Sequence, residues 1–406
     1  MSAVTPPTYS WFHVGHQDIA SRARRNHMTS DLPDLSMQER ADRWVSTMKG
    51  APGSAGVTVA HLDSWAGSGE TRAIDRHQRE DHEDRDLARL ATRARGAGDR
   101  RIAEDPDPWR TCFERDRDRI LHSAAFRRLA GKTQVFIFPD DHQRTRLTHA
   151  LEVAQVATAI ARPLGLNVTL TEAIALGHDC GHGPGGHASE DALSPLVAGG
   201  FDHAAWGADV TLAPLNLCRE TLDGIRNHSW SRPAPATPEG EVVSWADRIA
   251  YVCHDFEDAV DAAIVTPEQL PAAVSRLCGH DQSNQLRAFI TGMIRTTART
   301  GRIGLDADLA EALASFRQFN YDQVYLRDAS RRQAAQVISL LRALVEHYSE
   351  HPDLIPEGNQ WKSEDAQRSA VAYVAGMTDR FACRQAVALL GWSHDQLPTG
   401  IDVMPW

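Results

Sequence analysis

Apolar side chains recur at helical spacing along most of the chain beyond residue 105. Residues 148–165 carry an apolar stripe that ends at a proline and a glycine, residues 170–177 are almost wholly apolar, and residues 241–263 continue without a helix breaker. Such spacing predicts helices that each bury one face. Further helices are predicted at residues 115–129, 189–196, 220–228, 267–278, 281–297, 306–318, 330–350 and 363–390.

Strand signals are few by comparison. Residues 132–138 form a short apolar run before a Pro-Asp-Asp turn, and residues 321–326 read YDQVYL. No internal repeat of fixed period occurs in the sequence. We therefore predict an all-α fold, a helical bundle with additional C-terminal helices and at most small β elements.

The first 105 residues have a different pattern. Residues 35–48 could form a short amphipathic helix, and the glycine-rich residues 51–69 indicate a linker. Residues 71–101 alternate charges of opposite sign, which predicts a solvated helix with few core contacts. This part of the chain indicates no function by itself.

Pro106 and Pro108 indicate a boundary before a denser region. We predict an N-terminal extension at residues 1–105, a core at 106–265, and a C-terminal helical region at 266–406.

Composition describes an ordinary globular chain, with 42% hydrophobic and 24% charged residues. No apolar run approaches the roughly 20 residues of a membrane span, and the polar start lacks the features of a secretory signal, so a cytoplasmic protein is expected. The cysteines are widely separated and form no CxxC pair, which argues against a zinc ribbon or a disulfide framework.

The net charge of −11 argues against a general nucleic-acid-binding surface. Residues 110–146 are the exception, with nine Arg or Lys against five Asp or Glu. Some of these arginines are expected to pair with neighbouring aspartates, and others could bind phosphate.

Residues 173–190 read AIALGHDCGHGPGGHASE, the densest group of chemically active side chains in the chain. The stretch combines imidazoles and carboxylates with glycines that let the backbone approach a bound anion closely. Its candidate residues are His178, Asp179, His182, His187 and Glu190.

Two more residues could complete a metal site. His149 falls in the first turn of a predicted helix, and Asp247 shares one face of another with Tyr251, Asp255 and Asp258. Two imidazoles and two carboxylates leave coordination positions open, as a catalytic metal requires. A buried His–Asp contact or a solvated acidic face would explain parts of this pattern without a metal.

The order H…HD…D resembles the HD-domain phosphohydrolase superfamily. More narrowly, the chain resembles the deoxyguanosinetriphosphate triphosphohydrolase family over residues 110–382, about two thirds of its length. The matching blocks, in order, are RDRDRILHSAAFRRLAGKTQVF, RTRLTHALEVAQVA, EAIALGHDCGHGPGGHASE, FDHAAWG, VVSWADRIAYVCHDFEDAV, NYDQVYLR and YVAGMTDRFA.

The resemblance implies a role for each candidate residue. The implied metal ligands are His149, His178, Asp179 and Asp247. The implied catalytic residues near the α-phosphate are His182, His187, Glu190 and His203. The implied substrate contacts are Arg146 and Arg248 to phosphate, Tyr251 and Asp255 to the sugar, and Gln134 to the 3′-hydroxyl, with the tyrosine ring excluding a ribose 2′-hydroxyl.

The implied reaction is hydrolysis of a deoxynucleoside triphosphate (dNTP) to a deoxynucleoside and inorganic tripolyphosphate. Mn²⁺ or Mg²⁺ is the expected metal, with Fe²⁺, Zn²⁺ and Co²⁺ as alternatives. Family resemblance also implies a homo-oligomer, a tetramer or a hexamer, with a dNTP as an allosteric activator and single-stranded nucleic acid as a candidate partner. It further implies that residues 106–265 are the HD phosphohydrolase core and that residues 266–406 complete the nucleotide pocket and the contacts between subunits. No membrane partner is expected.

Two departures from the family pattern affect the site. Gly185 stands where an aromatic is usual, which would loosen the pocket, and FDHA replaces FEHN around His203. The alternatives are an HD-domain nucleotidase or phosphodiesterase acting on another nucleotide, and a nucleotide sensor or nucleic-acid-binding protein without turnover.

Overall fold

The computed structural model describes residues 36–47, 49–52, 56–61, 72–139, 143–356, 363 and 365–400 of the 406-residue chain. The chain divides into two compact units, residues 1–73 and 74–406. No helix of the described part is both long and apolar enough to cross a membrane. The polar start of the sequence lies outside the described residues.

The first unit contains helix α1, Met37–Thr47, and a two-stranded antiparallel sheet. Strand β1, Ala51–Pro52, pairs with strand β2, Thr58–Val59. The structure confirms a helix within residues 35–48. The small sheet occupies part of the stretch that was predicted as a linker.

The second unit is helical. Its first eight α-helices are α2 Arg76–Asp86, α3 Cys112–His122, α4 Ala124–Arg128, α5 Arg146–Ala161, α6 Val168–Gly177, α7 His187–Leu193, α8 His203–Trp206 and α9 Arg219–Arg226. The remaining ones are α10 Pro238–Asp261, α11 Ala272–Cys278, α12 Gln282–Thr300, α13 Ala307–Asn320, α14 Asp328–Glu350, α15 Ala366–Ala375 and α16 Asp379–Leu390. These helices confirm the predicted all-α class.

Capping residues fix the starts of the helices that carry the site. Thr145 caps α5, and Thr148, which the apolar pattern suggested as the start, is the third helical residue and completes a capping box. Asn167 caps α6 by accepting a hydrogen bond from the Leu170 N–H at 3.1 Å. Thr237 caps α10, with a proline at its first position.

Two hydrophobic cores stabilise this unit. The larger contains α5, α6 and α10, which pack against one another and bury Val153, Ile174 and Ile249 completely. The smaller lies among α7, α14, α15 and α16 and buries Leu193 and Leu341. The two cores are formed by different helices. A site that combines polar side chains from both sets of helices therefore depends on loops to bring those side chains together.

The two predicted β elements of this unit are wrong. Residues 132–138 form no strand pair apart from one isolated bridge between Thr133 and Thr145. Phe136 packs into the larger core and Ile137 into the smaller one, so this apolar run connects two cores. Tyr321–Tyr325 forms a π-helical turn that continues directly from α13.

Residues 74–105 belong to the second unit, whereas the sequence pattern predicted an extension that ends at residue 105. Helix α2 is shorter than the predicted solvated helix, and Ala91 and Ala94 beyond it are buried. The Thr92 N–H and hydroxyl donate to Glu239 at 3.0 and 2.7 Å. Charged residues of this stretch also pair with protein groups, Arg79 with Glu114 and Arg95 with Asp81 and Asp84.

Candidate active site

Three helices bring histidine and aspartate side chains together. Helix α5 carries His149, α6 ends directly before His178 and Asp179, and α10 carries Asp247. The Asp247 Oδ1 lies 3.0 Å from His149 Nε2 and 3.6 Å from His178 Nε2, and Asp179 Oδ1 lies 3.3 Å from His178 Nε2. These four residues, the predicted metal ligands, are called the histidine–aspartate cluster below.

His178 is oriented by its own helix. Its Nδ1 lies 2.6 Å from the carbonyl oxygen of Ala175, which can only accept a hydrogen bond, so Nδ1 carries the proton. The other nitrogen, Nε2, is buried and has no hydrogen-bond partner among the described residues. An unprotonated imidazole nitrogen that faces carboxylate oxygens is a donor set for a divalent metal. The residues present therefore fit such an ion.

Charge around the cluster favours ionised carboxylates. The guanidinium of Arg146, itself buried, donates to Asp179 Oδ2 at 2.6 Å. Burial alone would raise the pKa of Asp179, but His178 and Arg146 hold the pKa well below its usual value. The pKa of Asp247 is also lowered, because the hydrogen bond from His149 and the neighbouring histidines His178 and His228 together outweigh burial. Both carboxylates are thus ready to bind a cation.

A second group of predicted residues adjoins the cluster. His182 is buried, its Nε2 lies 3.3 Å from Asp179 Oδ1, and its ring stacks on that of His203 with 3.8 Å between centroids. Glu190 accepts hydrogen bonds from the His203 N–H and from its Nδ1. Burial would lower the pKa of His203, but Glu190 raises it above its usual value. His203 can therefore hold a proton near neutral pH.

His187 lies at the edge of this group. Its side chain is 74% exposed, and Nδ1 lies 3.6 Å from Glu190 Oε2. Burial works to raise the pKa of Glu190, yet hydrogen bonds from His187 and His203 leave that pKa far below its usual value. Of the four predicted catalytic residues, the structure thus buries His182 and His203, half-buries Glu190 and leaves His187 facing solvent.

Gly185 does not loosen the loop in which it stands. Its φ is +73°, and a side chain there would place Cβ only 2.5 Å from Val337 of α14. Glycine is required at this position because an L-residue would be strained and would collide. Val337 of α14 occupies the space beside Gly185.

His228 was not singled out from the sequence. It follows the end of α9, is buried, and holds its Nδ1 2.7 Å from the Ile225 carbonyl oxygen. Its Nε2 lies 3.2 Å from His203 Nε2, and its ring packs edge-on against that of His178. Burial and these two histidines lower the pKa of His228 to about 4. A neutral imidazole at this point can accept a hydrogen bond from the His203 Nε2–H.

Further along α10, polar residues meet the C-terminal region. The Tyr251 hydroxyl accepts a hydrogen bond from Arg317 Nε at 2.7 Å, and the Tyr325 hydroxyl donates to Asp255 Oδ2. Burial raises the pKa of Asp255 to about 7, and its Oδ1 is buried without a partner in the described part of the chain. Tyr251, Asp255, Arg317 and Tyr325 are called the tyrosine–arginine wall below. Asp258, predicted on the same helix face, pairs with Arg144 instead.

Two other predicted substrate contacts have unsatisfied polar atoms. Arg248 stacks on the Trp230 ring with 3.8 Å between its Cζ and the ring centroid, and its Nε is buried without a partner among the described residues. The same is true of Oε1 of Gln134. Burial, and then the positive charge of Arg317, lower the pKa of Arg248. Both side chains are left with an unused hydrogen-bonding group.

Most of the basic stretch at residues 110–146 is not available for phosphate. Arg115 and Arg119 pair with Glu104, Arg117 pairs with Asp118, and Arg144 pairs with three carboxylates of α5 and α10. Of this stretch, Arg146 contacts the histidine–aspartate cluster. Arg248 and Arg317 supply positive charge from elsewhere in the sequence.

Comparisons with known families agree with this geometry. The HD domain model matches residues 146–252, which contain the whole histidine–aspartate cluster. A phosphohydrolase-associated domain model matches residues 303–387, which contain Arg317 and Tyr325. A solved structure of a hypothetical protein from Aquifex aeolicus aligns over 69% of each chain, with a TM-score of 0.46 and 18% identity.

Curated relatives are similar over most of their length. A deoxyguanosinetriphosphate triphosphohydrolase-like protein of Caldanaerobacter subterraneus subsp. tengcongensis is 39% identical over 305 residues, covering 73% of this chain and 90% of the relative. A protein of the same description from Clostridium perfringens strain 13 is 40% identical, covering 70% of this chain and 87% of the relative. Another from Geobacter sulfurreducens is 36% identical, covering 73% of this chain and 93% of the relative. The chain therefore belongs to the deoxyguanosinetriphosphate triphosphohydrolase-like family of HD-domain phosphohydrolases.

Proposed function

We propose that the protein hydrolyses dNTPs to a deoxynucleoside and inorganic tripolyphosphate with the help of a divalent metal ion. The observation that supports this most is the presence of two sets of groups on one helix. Helix α10 carries Asp247 of the histidine–aspartate cluster and, one and two turns later, Tyr251 and Asp255 of the tyrosine–arginine wall. The distance between the α-phosphorus and the sugar of a nucleotide is similar to the one or two helical turns that separate these residues.

Arginine side chains would bind the phosphates. Arg146 donates a hydrogen bond to Asp179 at the cluster, and Arg248 and Arg317 both lie near Tyr251. A triphosphate carries several negative charges, and planar guanidinium groups match its oxygens in pairs. The three arginines would supply the positive charge that a triphosphate needs, at the histidine–aspartate cluster and at the tyrosine–arginine wall.

Sugar recognition falls to the wall. Asp255 Oδ1 and Gln134 Oε1 are buried acceptors without partners in the described residues, so a sugar hydroxyl could satisfy either. The ring of Tyr251 is held in place by Arg317. A fixed ring next to the sugar would exclude the extra hydroxyl of a ribonucleotide, which is how the wall would select the deoxy form.

Proton handling falls to the buried histidines. When bound, the metal would polarise a phosphate oxygen and lower the pKa of a water toward about 7. The water oxygen forms a bond to the α-phosphorus as the bond to the 5′-oxygen breaks, and that oxygen needs a proton. His203, protonated and held by Glu190 at Nδ1, donates its Nε2 proton to that oxygen, for which this N–H must leave the hydrogen bond that it makes to His228 Nε2.

The test is product analysis with the purified protein. Each of the four dNTPs is incubated singly and in mixture with Mn²⁺ or Mg²⁺, and the phosphate products are separated by ion chromatography. We expect deoxynucleoside and tripolyphosphate in equal amounts. Release of monophosphate, orthophosphate or pyrophosphate would instead support a nucleotidase or phosphodiesterase, and no turnover of any nucleotide would support a sensor.

A further inference from the structure

The histidine-rich loop at residues 180–187, called the catalytic loop below, is anchored from outside itself. The His182 carbonyl accepts a hydrogen bond from the Lys132 ammonium group, and the Gly185 N–H donates to Asp379 Oδ1 at 2.9 Å. Gly185 and Gly186 both have positive φ. Because glycines impose little stiffness on the backbone, outside contacts must set the position of this loop.

Asp379 holds two segments at once. It is the first residue of α16, far along the chain, and it is only 6% exposed. Its second oxygen accepts from the Thr133 N–H at 2.8 Å and from the Thr133 hydroxyl at 2.6 Å. The carboxyl group therefore fixes the catalytic loop relative to Thr133, which directly precedes the predicted substrate contact Gln134.

Lys132 makes the matching connection at the neighbouring helix end. Its side chain is buried, and its Nζ donates both to the His182 carbonyl and, at 3.0 Å, to the Ala375 carbonyl at the end of α15. Burial lowers the pKa of this ammonium group to about 7. Burying a charged group is costly unless it is hydrogen-bonded, so the bonds to these two carbonyls are what allow Lys132 to lie in the interior.

The position of the catalytic loop matters for His182. The ring of this residue is buried, stacks on His203 and places Nε2 3.3 Å from Asp179 Oδ1. A displacement of about 1 Å in a reacting group can cost about a hundredfold in rate. The groups that hold the loop backbone thus control the distances on which the reaction depends.

We propose that Asp379 is a positioning residue of the active site, which holds the catalytic loop and Thr133 so that His182 and Gln134 face the substrate together. This inference rests on the proposed function for its kinetic part and on the contacts above for its structural part. It gives the C-terminal region a second role beside the tyrosine–arginine wall. The hydrogen bonds of Asp379 go to Thr133 and Gly185 rather than to a candidate metal ligand or substrate contact.

A matched control separates positioning from general stability. Asp116 is a buried carboxylate with a similar set of partners, since it accepts from the Cys218 N–H at 2.8 Å, the Thr221 hydroxyl at 2.7 Å and Arg100 at 2.6 Å. It connects α3 to the start of α9 and touches neither the catalytic loop nor Thr133. Asp116→Asn should therefore destabilise the fold at least as much as Asp379→Asn, because it also breaks the buried ion pair with Arg100, but only Asp379→Asn should move the loop.

The first measurement is hydrogen–deuterium exchange of the metal-loaded full chain. We expect Asp379→Asn to speed exchange at residues 180–187 at least about tenfold, as the loss of a buried charge-assisted hydrogen bond would. Asp116→Asn should leave exchange in that loop at the wild-type rate. Unchanged exchange in Asp379→Asn, or an equal increase in both variants, would overturn the proposal whatever the enzyme's substrate proves to be.

The second measurement is steady-state kinetics on the nucleotide that the wild type turns over. We expect Asp379→Asn to lower kcat about 10- to 100-fold, with bound metal per chain unchanged and KM within about threefold. Asp116→Asn should keep its kcat. Loss of metal together with activity would show a merely structural role, and a wild type without dNTP turnover would remove the proposed function while leaving the exchange result valid.

A milder pair of variants covers the case in which Asp379→Asn does not fold. Thr133→Val removes one of the three hydrogen bonds to Asp379, while Thr133→Ser keeps it. We expect the valine variant to show part of the exchange increase and of the kcat loss, and the serine variant to restore both. Equal behaviour of the two variants would contradict the proposal.

Discussion

The histidine–aspartate cluster and the tyrosine–arginine wall share helix α10 but are assembled differently. The cluster takes its side chains from α5, α6 and α10, which pack on one another in the larger core. The wall joins α10 to α13 and the π-helical turn after it, through hydrogen bonds between phenol, guanidinium and carboxyl groups. Damage to the cluster should therefore stop the chemistry, whereas damage to the wall should change which nucleotide binds and how tightly.

The largest effect is expected from the cluster. The double substitution His178→Ala and Asp179→Ala removes two of the four candidate ligands, and we expect bound metal to be lost and turnover to fall at least about a thousandfold. Metal per chain is measured by mass spectrometry and turnover by product release. His122→Ala changes an exposed histidine of α3 and should alter neither. Full metal content in the double variant would contradict the assignment of the cluster.

Arg317 provides the sharpest test of the wall. Arg317→Gln removes a charge and the hydrogen bond to Tyr251, so we expect KM for a dNTP to rise about 10- to 100-fold, with metal content unchanged. Arg299→Gln, an exposed position of α12, is the control. If metal content falls together with affinity, the two regions are not separable as described here.

Substitutions of Tyr251 should change kcat/KM less than Arg317→Gln does, and the change should depend on the residue introduced. Tyr251→Phe loses only the hydroxyl that Arg317 bonds, so a loss of a few-fold in kcat/KM is expected, in line with about 1 kcal/mol per hydrogen bond. Tyr251→Ala removes the ring and should admit ribonucleotides. The ratio of kcat/KM for GTP and dGTP, measured for both variants, decides the point: an unchanged ratio in the alanine variant would exclude the ring as the selecting group.

Asp255 gives the smallest and most specific effect, a pH dependence of stability. An aspartate in the unfolded chain has a pKa near 4, and burial raises that of folded Asp255 to about 7. The folded state therefore binds more protons between these values, and stability falls as pH rises through this window. Asp255→Asn lacks this loss, so its free energy of unfolding relative to the wild type should increase from pH 5 to pH 8.

Urea unfolding in the presence of a chelator measures this difference at each pH. Asp261→Asn, an exposed position at the end of the same helix, should show no such trend. A pH-independent difference for Asp255→Asn would mean that the carboxyl group ionises normally in the folded protein.

Local patterns explain why the cluster could be predicted and much of the wall could not. His149, His178, Asp179 and Asp247 are placed by helix starts, helix ends and periodicity, all of which a single sequence displays. Arg317 meets Tyr251 across 66 residues of chain, and Tyr325 meets Asp255 across 70. Such contacts depend on how helices pack, and nothing in the local pattern of α13 distinguishes them from ordinary surface positions.

Buried polar residues were also difficult to predict from the sequence. His228, Lys132 and Asp379 look like solvated or capping residues in the sequence, yet each lies inside the protein because a partner from a distant segment satisfies it. The prediction for residues 71–101 failed for the same reason. A pattern of alternating charges looks the same in the sequence whether its partners are water or other protein groups. The all-α class survived these errors because apolar periodicity depends only on neighbouring residues.

The most direct test of the central claim follows the oxygen atom of the attacking water. The wild-type protein, loaded with Mn²⁺, is given dGTP in water enriched in ¹⁸O, and both products are examined by mass spectrometry. Attack at the α-phosphorus predicts one ¹⁸O atom in tripolyphosphate and none in deoxyguanosine. Label in deoxyguanosine, or release of deoxyguanosine monophosphate in place of the nucleoside, would contradict the proposed reaction.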